Sequence, residues 1–313
     1  MQASPQRVIL VLNPISGDTE KEACIAQIKT FAQQHWSDYH IYTTSGDGDE
    51  EALRQLIEER QPDMVVAVGG DGTVNMVGTL LVGKEVTLGI IPMGSGNGLS
   101  KDLGIPQDLD EAIAVLASGQ PRPIDTLEIN GQTSLHLSDL GFNALIVKRF
   151  DEGDQRGPMA YAWNTVKEYM DYEPAHYEVI TPDEHYKGRA FMVTIANANM
   201  FGSNATINPE GKVDDGQFEV CILEEFPKAA GIGILYHMYR DSIDESVYTK
   251  VITCREARIL NPDGSQFQID GEVVGTPAEI NVNIRHASLS VMLPLEQVRR
   301  STRRKASVDK PAR

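Results

Sequence analysis

The chain has 313 residues, a hydrophobic share of 41 % and a formal charge of −17, enough for two domains with sizeable cores and too acidic for nucleic acid to be the main partner. Cys24, Cys221 and Cys254 are far apart and form no CxxC pair, which predicts a reducing, cytoplasmic setting without a disulfide framework or a thiolate zinc site. No apolar run approaches the ~20 residues of a membrane span, and Val8–Leu12 is too short for the apolar core of a signal peptide.

Strand and helix patterns alternate through residues 1–125. Val8–Leu12 reads as a strand, Asn13-Pro14-Ile15-Ser16-Gly17 as a turn and Glu20–Gln34 as a helix. A strand over His40–Thr43 and a helix over Glu50–Glu59 follow. The apolar run Met64–Val68 closes into Gly69-Gly70-Asp71-Gly72-Thr73-Val74-Asn75, and Thr73–Leu81 has helical spacing with Thr73 placed to cap it. Val86–Ile91 reads as a strand, followed by the loop Pro92–Gly98, a short helix, and a helix over Leu109–Ala117. Strands separated by helices predict βαβ units and a Rossmann-like parallel sheet. In such sheets ligands lie outside the carboxyl ends of the strands, where all three Gly/Asn/Ser loops fall.

Beyond Gly119–Pro123 the pattern changes to short alternating runs. Ile124–Ile129 and Ser134–Leu137 flank an Asn130-Gly131 turn, a hairpin signal. Tyr177–Thr181, Arg189–Ala196, Phe218–Leu223, Ala257–Leu260, Phe267–Asp270, Ile280–Ile284 and Ser288–Leu293 continue as strands, interrupted by helices near Met159–Met170 and Lys228–Ile243. The expectation is an antiparallel β-sandwich or barrel. The predicted organisation is an α/β domain over 1–125, a β-sandwich domain over 126–294, and a basic tail over 295–313 that returns to the first domain. Gln297–Arg313 holds seven Lys or Arg against one Asp. That reads either as a solvated tail or as an anchor for anionic lipid, at about 1 kcal/mol per basic residue.

The loop Gly69–Asn75 carries the strongest chemical signal. Bare glycine N–H groups at a helix start can approach a phosphate that a Cβ would keep away. An acid there is repulsive unless a cation stands between, so Asp71 suggests bound Mg²⁺. The loop is neither a Walker A nor a GxGxxG fingerprint, and the Walker look-alike at Gly78–Lys84 fails at Glu85. Gly94-Ser95-Gly96-Asn97-Gly98 is a second cradle, with Ser95 as a phosphate donor and Asn97 holding the opposite loop or the ribose; a plain connection capped by Asn97 is the alternative. Asp214-Asp215-Gly216 reads as a hairpin turn or a hard-cation site. Glu272, in Asp270-Gly271-Glu272, reads as an exposed hairpin acid or as a general base that points into an interdomain cleft.

Together these motifs resemble the diacylglycerol kinase catalytic-domain family, which includes sphingosine kinases and bacterial lipid kinases. Gly69–Asn75 is similar to its GGDGTxN signature, Asn13–Gly17 to its NPxSG opening, and Gly94–Gly104 to its GSGN…LG segment. Asp214–Gly216 is similar to its DDG turn and Asp270–Glu272 to its DGE turn. The resemblance implies an ATP- and Mg²⁺-dependent lipid kinase. ATP would be held by Asn13, Ser16, Gly17, Thr44, Gly69, Gly70, Asp71, Gly72, Thr73, Val74, Asn75, Ser95 and Asn97. Asp71 would hold the catalytic Mg²⁺ with Asp125 as helper, Arg156 would reach the γ-phosphate, and Glu272 would be the base. A structural Mg²⁺ would sit on Asp215 and the carbonyls of Lys212 and Gln217. The implied partner is a lipid at the inner membrane face, diacylglycerol before a sphingoid base, and the resemblance leaves room for a homodimer. A soluble-substrate kinase such as an NAD kinase, or a non-catalytic lipid- or nucleotide-binding module, are the alternatives. Two positions depart from the family pattern. Gly98 stands where many bacterial diacylglycerol kinases carry Asp, and Ile146 stands where an Asp would read a sphingoid amine.

Overall fold

A computed structural model describes residues 7–14, 21–152, 167–201 and 204–295. The chain divides into two compact units, one formed by Met1–Pro123 with Ser290–Arg313, the other by Ile124–Leu289. The second division falls inside a single strand, Glu279–Leu293, where two shorter strands were expected.

The first unit alternates strand and helix: β1 (Arg7–Leu12), α1 (Lys21–His35), β2 (Asp38–Thr43), α2 (Asp49–Arg60), β3 (Met64–Gly69), α3 (Asp71–Leu81), β4 (Thr87–Pro92), α4 (Gly98–Asp102) and α5 (Leu109–Ser118). The sheet is parallel, in the order β4-β3-β1-β2, with Leu12 opposite both Thr43 and Val68. The last residues of the strand Glu279–Leu293 extend it, Ser290 opposite Thr87 and Val291 opposite Leu88, again parallel. All six residues of β3 are buried, as expected of a strand covered on both faces. The core gathers Val8, Leu10, Val66 and Val68 from the sheet with Ile28 and Trp36 from and beyond α1.

The second unit is antiparallel. It contains β5 (Gln120–Ile129), which begins in the first unit, then β6 (Gln132–Ser134), β7 (Leu137–Gly141), α6 (Phe142–Glu152), β8 (Ala175–Ile180), β9 (His185–Ala196) and β10 (Phe218–Glu224). β11 (Thr249–Cys254), β12 (Glu256–Leu260), β13 (Phe267–Ile269), β14 (Glu272–Gly275) and β15 (Glu279–Leu293) complete it. β9 organises this unit. Its first half pairs with β8, and its second half lies between β7 and β10. Tyr177, Phe218 and Phe267 are among its largest fully buried side chains.

Several local expectations are redrawn. β6 and β7 are separate short strands where one was expected, and α6, β11 and β14 carried no sequence prediction. The expected helix over Lys228–Ile243 is a single turn at Lys228–Ala230, a helix over Gly231–Tyr239 and a further turn at Ile243–Glu245. Most of Met159–Met170, with Ser16, Gly17, Arg156 and the basic tail, lies outside the described residues.

Candidate active site

In the first unit, four strand ends are tied into one surface. Asn13 N–H donates to Val68 O at 3.1 Å, Thr44 N–H to Leu12 O at 2.9 Å, and Met93 N–H to Gly69 O at 2.8 Å. Asn13 Nδ2 donates to Thr73 Oγ1 at 3.1 Å. The two glycine loops touch through their backbones. A Cβ on Gly94 would come within 2.5 Å of Gly70 Cα and 2.8 Å of Asn97 Oδ1, so no side chain fits there. Asn97 closes its own loop: Gly94 N–H donates to its Oδ1 at 2.9 Å, and its Nδ2 donates to Gly94 O at 2.8 Å and to Gln107 Oε1 at 3.0 Å. It does so from the left-handed region, at φ 55°.

Thr73 is not the cap. The helix α3 starts two residues earlier, with Gly70 as N-cap and no side chain on its free N–H groups. Gly70 is extended (φ −89°, ψ −170°), and the short first turn leaves Thr73 inside the helix, facing Asn13. The consequence is chemical. Bare N–H groups at the positive end of an 11-residue helix form an anion site, and a Cβ at Gly72 would meet nothing within 4 Å. Asp71 opens the helix, partly exposed, and Ser95 is exposed. Asn75 Oδ1 is buried with no hydrogen-bond partner. Thr44 is buried and leads into a loop built on Asp49, whose carboxylate accepts from Ser45 N–H, Gly46 N–H and Tyr42 OH. Burial works against that charge, but these donors outweigh it and hold the Asp49 carboxyl below its usual value.

In the second unit the Asp270-Gly271-Glu272 turn is a two-residue hairpin. Ile269 pairs with Glu272, and Asp270 and Gly271 both have positive φ, 48° and 91°, as a tight type I′ connection requires. Its two acids differ completely. Asp270 is enclosed, accepting from Ser134 Oγ at 2.9 Å, Leu135 N–H at 2.7 Å and His136 N–H at 3.0 Å. Burial raises its pKa and these donors oppose the rise. Glu272 is exposed at the start of β14. Gln268 braces the turn from below: its Oε1 accepts from Gly271 N–H at 2.5 Å, and its Nε2 donates to Asp139 Oδ2 at 2.5 Å. Asp139, fully buried, also accepts from Thr194 Oγ1 and Asn143 Nδ2. Asp139 and Gln268 were not singled out from sequence. The available signal was polar residues set between apolar ones, Ser138-Asp139 between Leu137 and Leu140 and Gln268 between Phe267 and Ile269.

Asp125 is the residue expected as a helper to Asp71. Its side chain is buried, and both oxygens are engaged within the second unit. Oδ1 accepts from His286 Nδ1 at 2.7 Å and Ala287 N–H at 2.6 Å, and Oδ2 from Gly216 N–H at 2.7 Å. Asp125 thus anchors the Asp214-Asp215-Gly216 loop, whose Gly216 has φ 74°. Within that loop Asp215 Oδ1 accepts from Gln217 N–H at 3.1 Å, and Lys212 and Asp215 are exposed. Among the described residues no three His, Cys, Asp or Glu side chains gather as metal ligands. A lone carboxylate such as Asp71 still suits Mg²⁺ held mainly by water and phosphate oxygens.

The first unit thus carries a cradle of bare N–H groups with one acid, and the second unit an exposed glutamate on a braced hairpin. Residues 7–129 match the family model "Diacylglycerol kinase catalytic domain", and residues 138–293 match "YegS C-terminal NAD kinase beta sandwich-like domain". The chain belongs to the diacylglycerol kinase catalytic-domain family. It is therefore a phosphotransferase with an alcohol acceptor, of the lipid kinase family. Over 307 residues it is 27 % identical to a diacylglycerol kinase of Bacillus subtilis (strain 168), covering 93 % of this chain and 98 % of that one. It is 29 % identical over 221 residues to a probable lipid kinase, YegS-like, of Klebsiella pneumoniae (strain 342), covering 68 % and 73 %. The crystal structure of a putative diacylglycerol kinase from Bacillus anthracis str. Sterne superposes with a TM-score of 0.77 at 21 % identity, covering 94 % and 99 %; that likeness establishes the fold. Within the family fold, Gly98 is the buried first residue of α4, and Ile146 is buried on α6, 6 % exposed.

Proposed function

We propose that this lipid kinase transfers the γ-phosphoryl group of Mg²⁺-ATP to the free hydroxyl of diacylglycerol. The observation that carries the nucleotide half is the backbone contact of Gly70 with Gly94 at the open N-terminus of α3. It keeps side chains away from the place a triphosphate would take, and presents N–H groups to it. Asn13, Thr44, Thr73, Asn75, Ser95 and Asn97 flank that place, and Asn75 brings a buried oxygen in need of a partner. Asp71 would hold Mg²⁺, which when bound neutralises charge on the β- and γ-phosphates.

Glu272 is the proposed base. As the hydroxyl oxygen bonds to the γ-phosphorus, the bond to the β,γ-bridging oxygen breaks and ADP leaves. The hydroxyl proton passes to the Glu272 carboxylate. Asp270, Gln268 and Asp139 do not take part in the transfer. They hold the turn so that Glu272 is presented on a rigid hairpin. Arg156 is proposed to steady the transferring group, and Asp215 with the Lys212 and Gln217 carbonyls to bind a structural cation. Ile146 favours diacylglycerol over a sphingoid base, because a buried apolar side chain offers no carboxylate to an amine.

The test is product identification. The purified chain with labelled ATP and Mg²⁺ is offered diacylglycerol, sphingosine, ceramide, phosphatidylglycerol and NAD. Phosphatidic acid is the expected product; a different phospholipid, NADP or no product overturns the substrate assignment. Asp71→Ala is expected to lower Mg²⁺-dependent turnover by about 10²-fold or more. Unchanged Mg²⁺ dependence would remove Asp71 from the cation site.

A further inference from the structure

The helix Gly231–Tyr239 links β10 to β11 and is apolar on both sides. Its inner side is seated: Ile234 is 6 % exposed, and Met238 packs on the cluster around Phe191 and Phe226. Just before the helix, Tyr169 OH donates to Lys228 O at 2.6 Å. Its outer side carries Ile232, Leu235, Tyr236 and Tyr239, which are 83, 52, 58 and 55 % exposed. That spacing, i, i+3, i+4, i+7, lays them along one face. No Asp, Glu, Lys or Arg lies in the nine residues, whereas a solvated helix turns charges outward. Val247, 85 % exposed, follows in the connection to β11. Of the eight large apolar side chains exposed among the described residues, five lie in this one segment. Clustering of this kind marks an interaction surface.

We infer that this face inserts into the interfacial layer of a lipid bilayer. Three observations select that occupant. The exposed apolar face is one side of a nine-residue helix, four side chains, small beside the ~800 Å² per partner that a stable dimer buries. Tyr236 and Tyr239 combine an apolar ring with a polar tip, the chemistry enriched at the headgroup level. At the helix end the Arg240 guanidinium lies over the Tyr236 ring, 5.5 Å from its centroid, a cation whose stem runs along apolar surface while its head meets water or phosphate. The inference rests on the lipid kinase reading to the extent that the acyl chains of such a substrate keep it in a bilayer. Asp241, Asp244 and Glu245 come next in the chain, so the segment is not basic. Insertion, rather than attraction to anionic headgroups, is what holds it, and salt should weaken it little.

The test uses the full chain with phosphatidylcholine vesicles containing diacylglycerol, at about 0.1 and about 0.5 M NaCl. Cosedimentation is expected at both, and the double variant Ile232→Asp/Leu235→Asp should bind about tenfold more weakly or worse. Both positions are exposed, so thermal unfolding should not move; Ile232→Ser, a milder change, should give an intermediate loss. The inference is overturned if the wild type does not bind, or if the double variant binds as well as the wild type. It is equally overturned if binding vanishes on removing Val298–Arg313 alone, or if the variant instead converts a sedimenting dimer to monomer. A short-chain diacylglycerol in free solution separates this from the kinase reading. No product from it, with vesicle binding still lost in the double variant, removes the kinase reading and keeps the surface. Normal product, with binding unchanged in the variant, does the reverse.

Discussion

Asp270 and Glu272 stand two residues apart and meet opposite surroundings. A tight hairpin reverses the chain between them, so one carboxylate is driven under the turn, against the amides of Leu135 and His136, and the other is left in water. The buried acid takes its donors from a segment 134 to 136 residues earlier. For that reason the motif could be read from sequence while the division of labour within it could not. The same holds for Asp125. It was legible as an acid next to a domain boundary, but its partners, His286 at a separation of 161 and Gly216 at 91, are brought to it by the fold. Glu272→Gln preserves the shape of the turn and removes the base. We expect kcat to fall by about 10²- to 10⁴-fold with ATP affinity unchanged, checked by steady-state turnover alongside equilibrium ATP binding. Wild-type kcat would exclude Glu272 as the base.

The glycine loops are legible as elements, because an apolar strand, a run of glycines and a helical period are all local signals. Contact between two such loops is not a local signal. Gly94→Ala tests that contact: the added methyl meets the Gly70 backbone, which cannot swing aside as a side chain can. We expect KM for ATP to rise about tenfold or more, at a cost of about 1–3 kcal/mol in stability, read from kinetics and from chemical denaturation. Gly72→Ala, whose methyl would meet no protein atom within 4 Å, is the control for the stability cost alone. The loop after β2 makes a second prediction. Asp49 has a lowered pKa in the folded state, so its contribution is present above the ordinary carboxylate value of 3.8 and is lost as pH falls through the lower, folded value. Asp49→Asn should cost about 1 kcal/mol at pH 7. The gap between variant and wild type in urea melts should close as the pH is taken below that range. A constant gap would mean the charge is not what matters. Of the elements missed from sequence, α6 and β11 have an interrupted hydrophobic period: α6 buries Ala144 and Ile146 while leaving Arg149 exposed, and β11 alternates only over its last residues; β14 is four residues long and buries none of them.

The chain leaves the first unit at Pro123 and re-enters it at Ser290, so that unit is built from two distant stretches. The returning stretch is well buried there: Val291, Met292 and Leu293 are 0, 6 and 4 % exposed. Ending the chain at Leu289 would remove them and strip β4 of its parallel neighbour on the side away from β3. At about 1.5–3 kcal/mol for each buried apolar side chain, the loss exceeds about 4 kcal/mol, a large part of the stability of an ordinary domain. We expect that truncation to yield chain whose ATP binding and cooperative melting are both gone, measured by calorimetry. Retention of both would show that the first unit is complete without it. Local pattern was sufficient for the class of each unit, the glycine cradle and the two acidic turns, because periodicity and turn chemistry depend on neighbours along the chain. Long-range packing was needed to place β15 in both units, to press Gly94 against Gly70, to bury Asp125 and Asp139, and to give the Asp270 carboxylate its donors while leaving Glu272 in water. Burial and hydrogen-bond partners are properties of residues that meet only after folding.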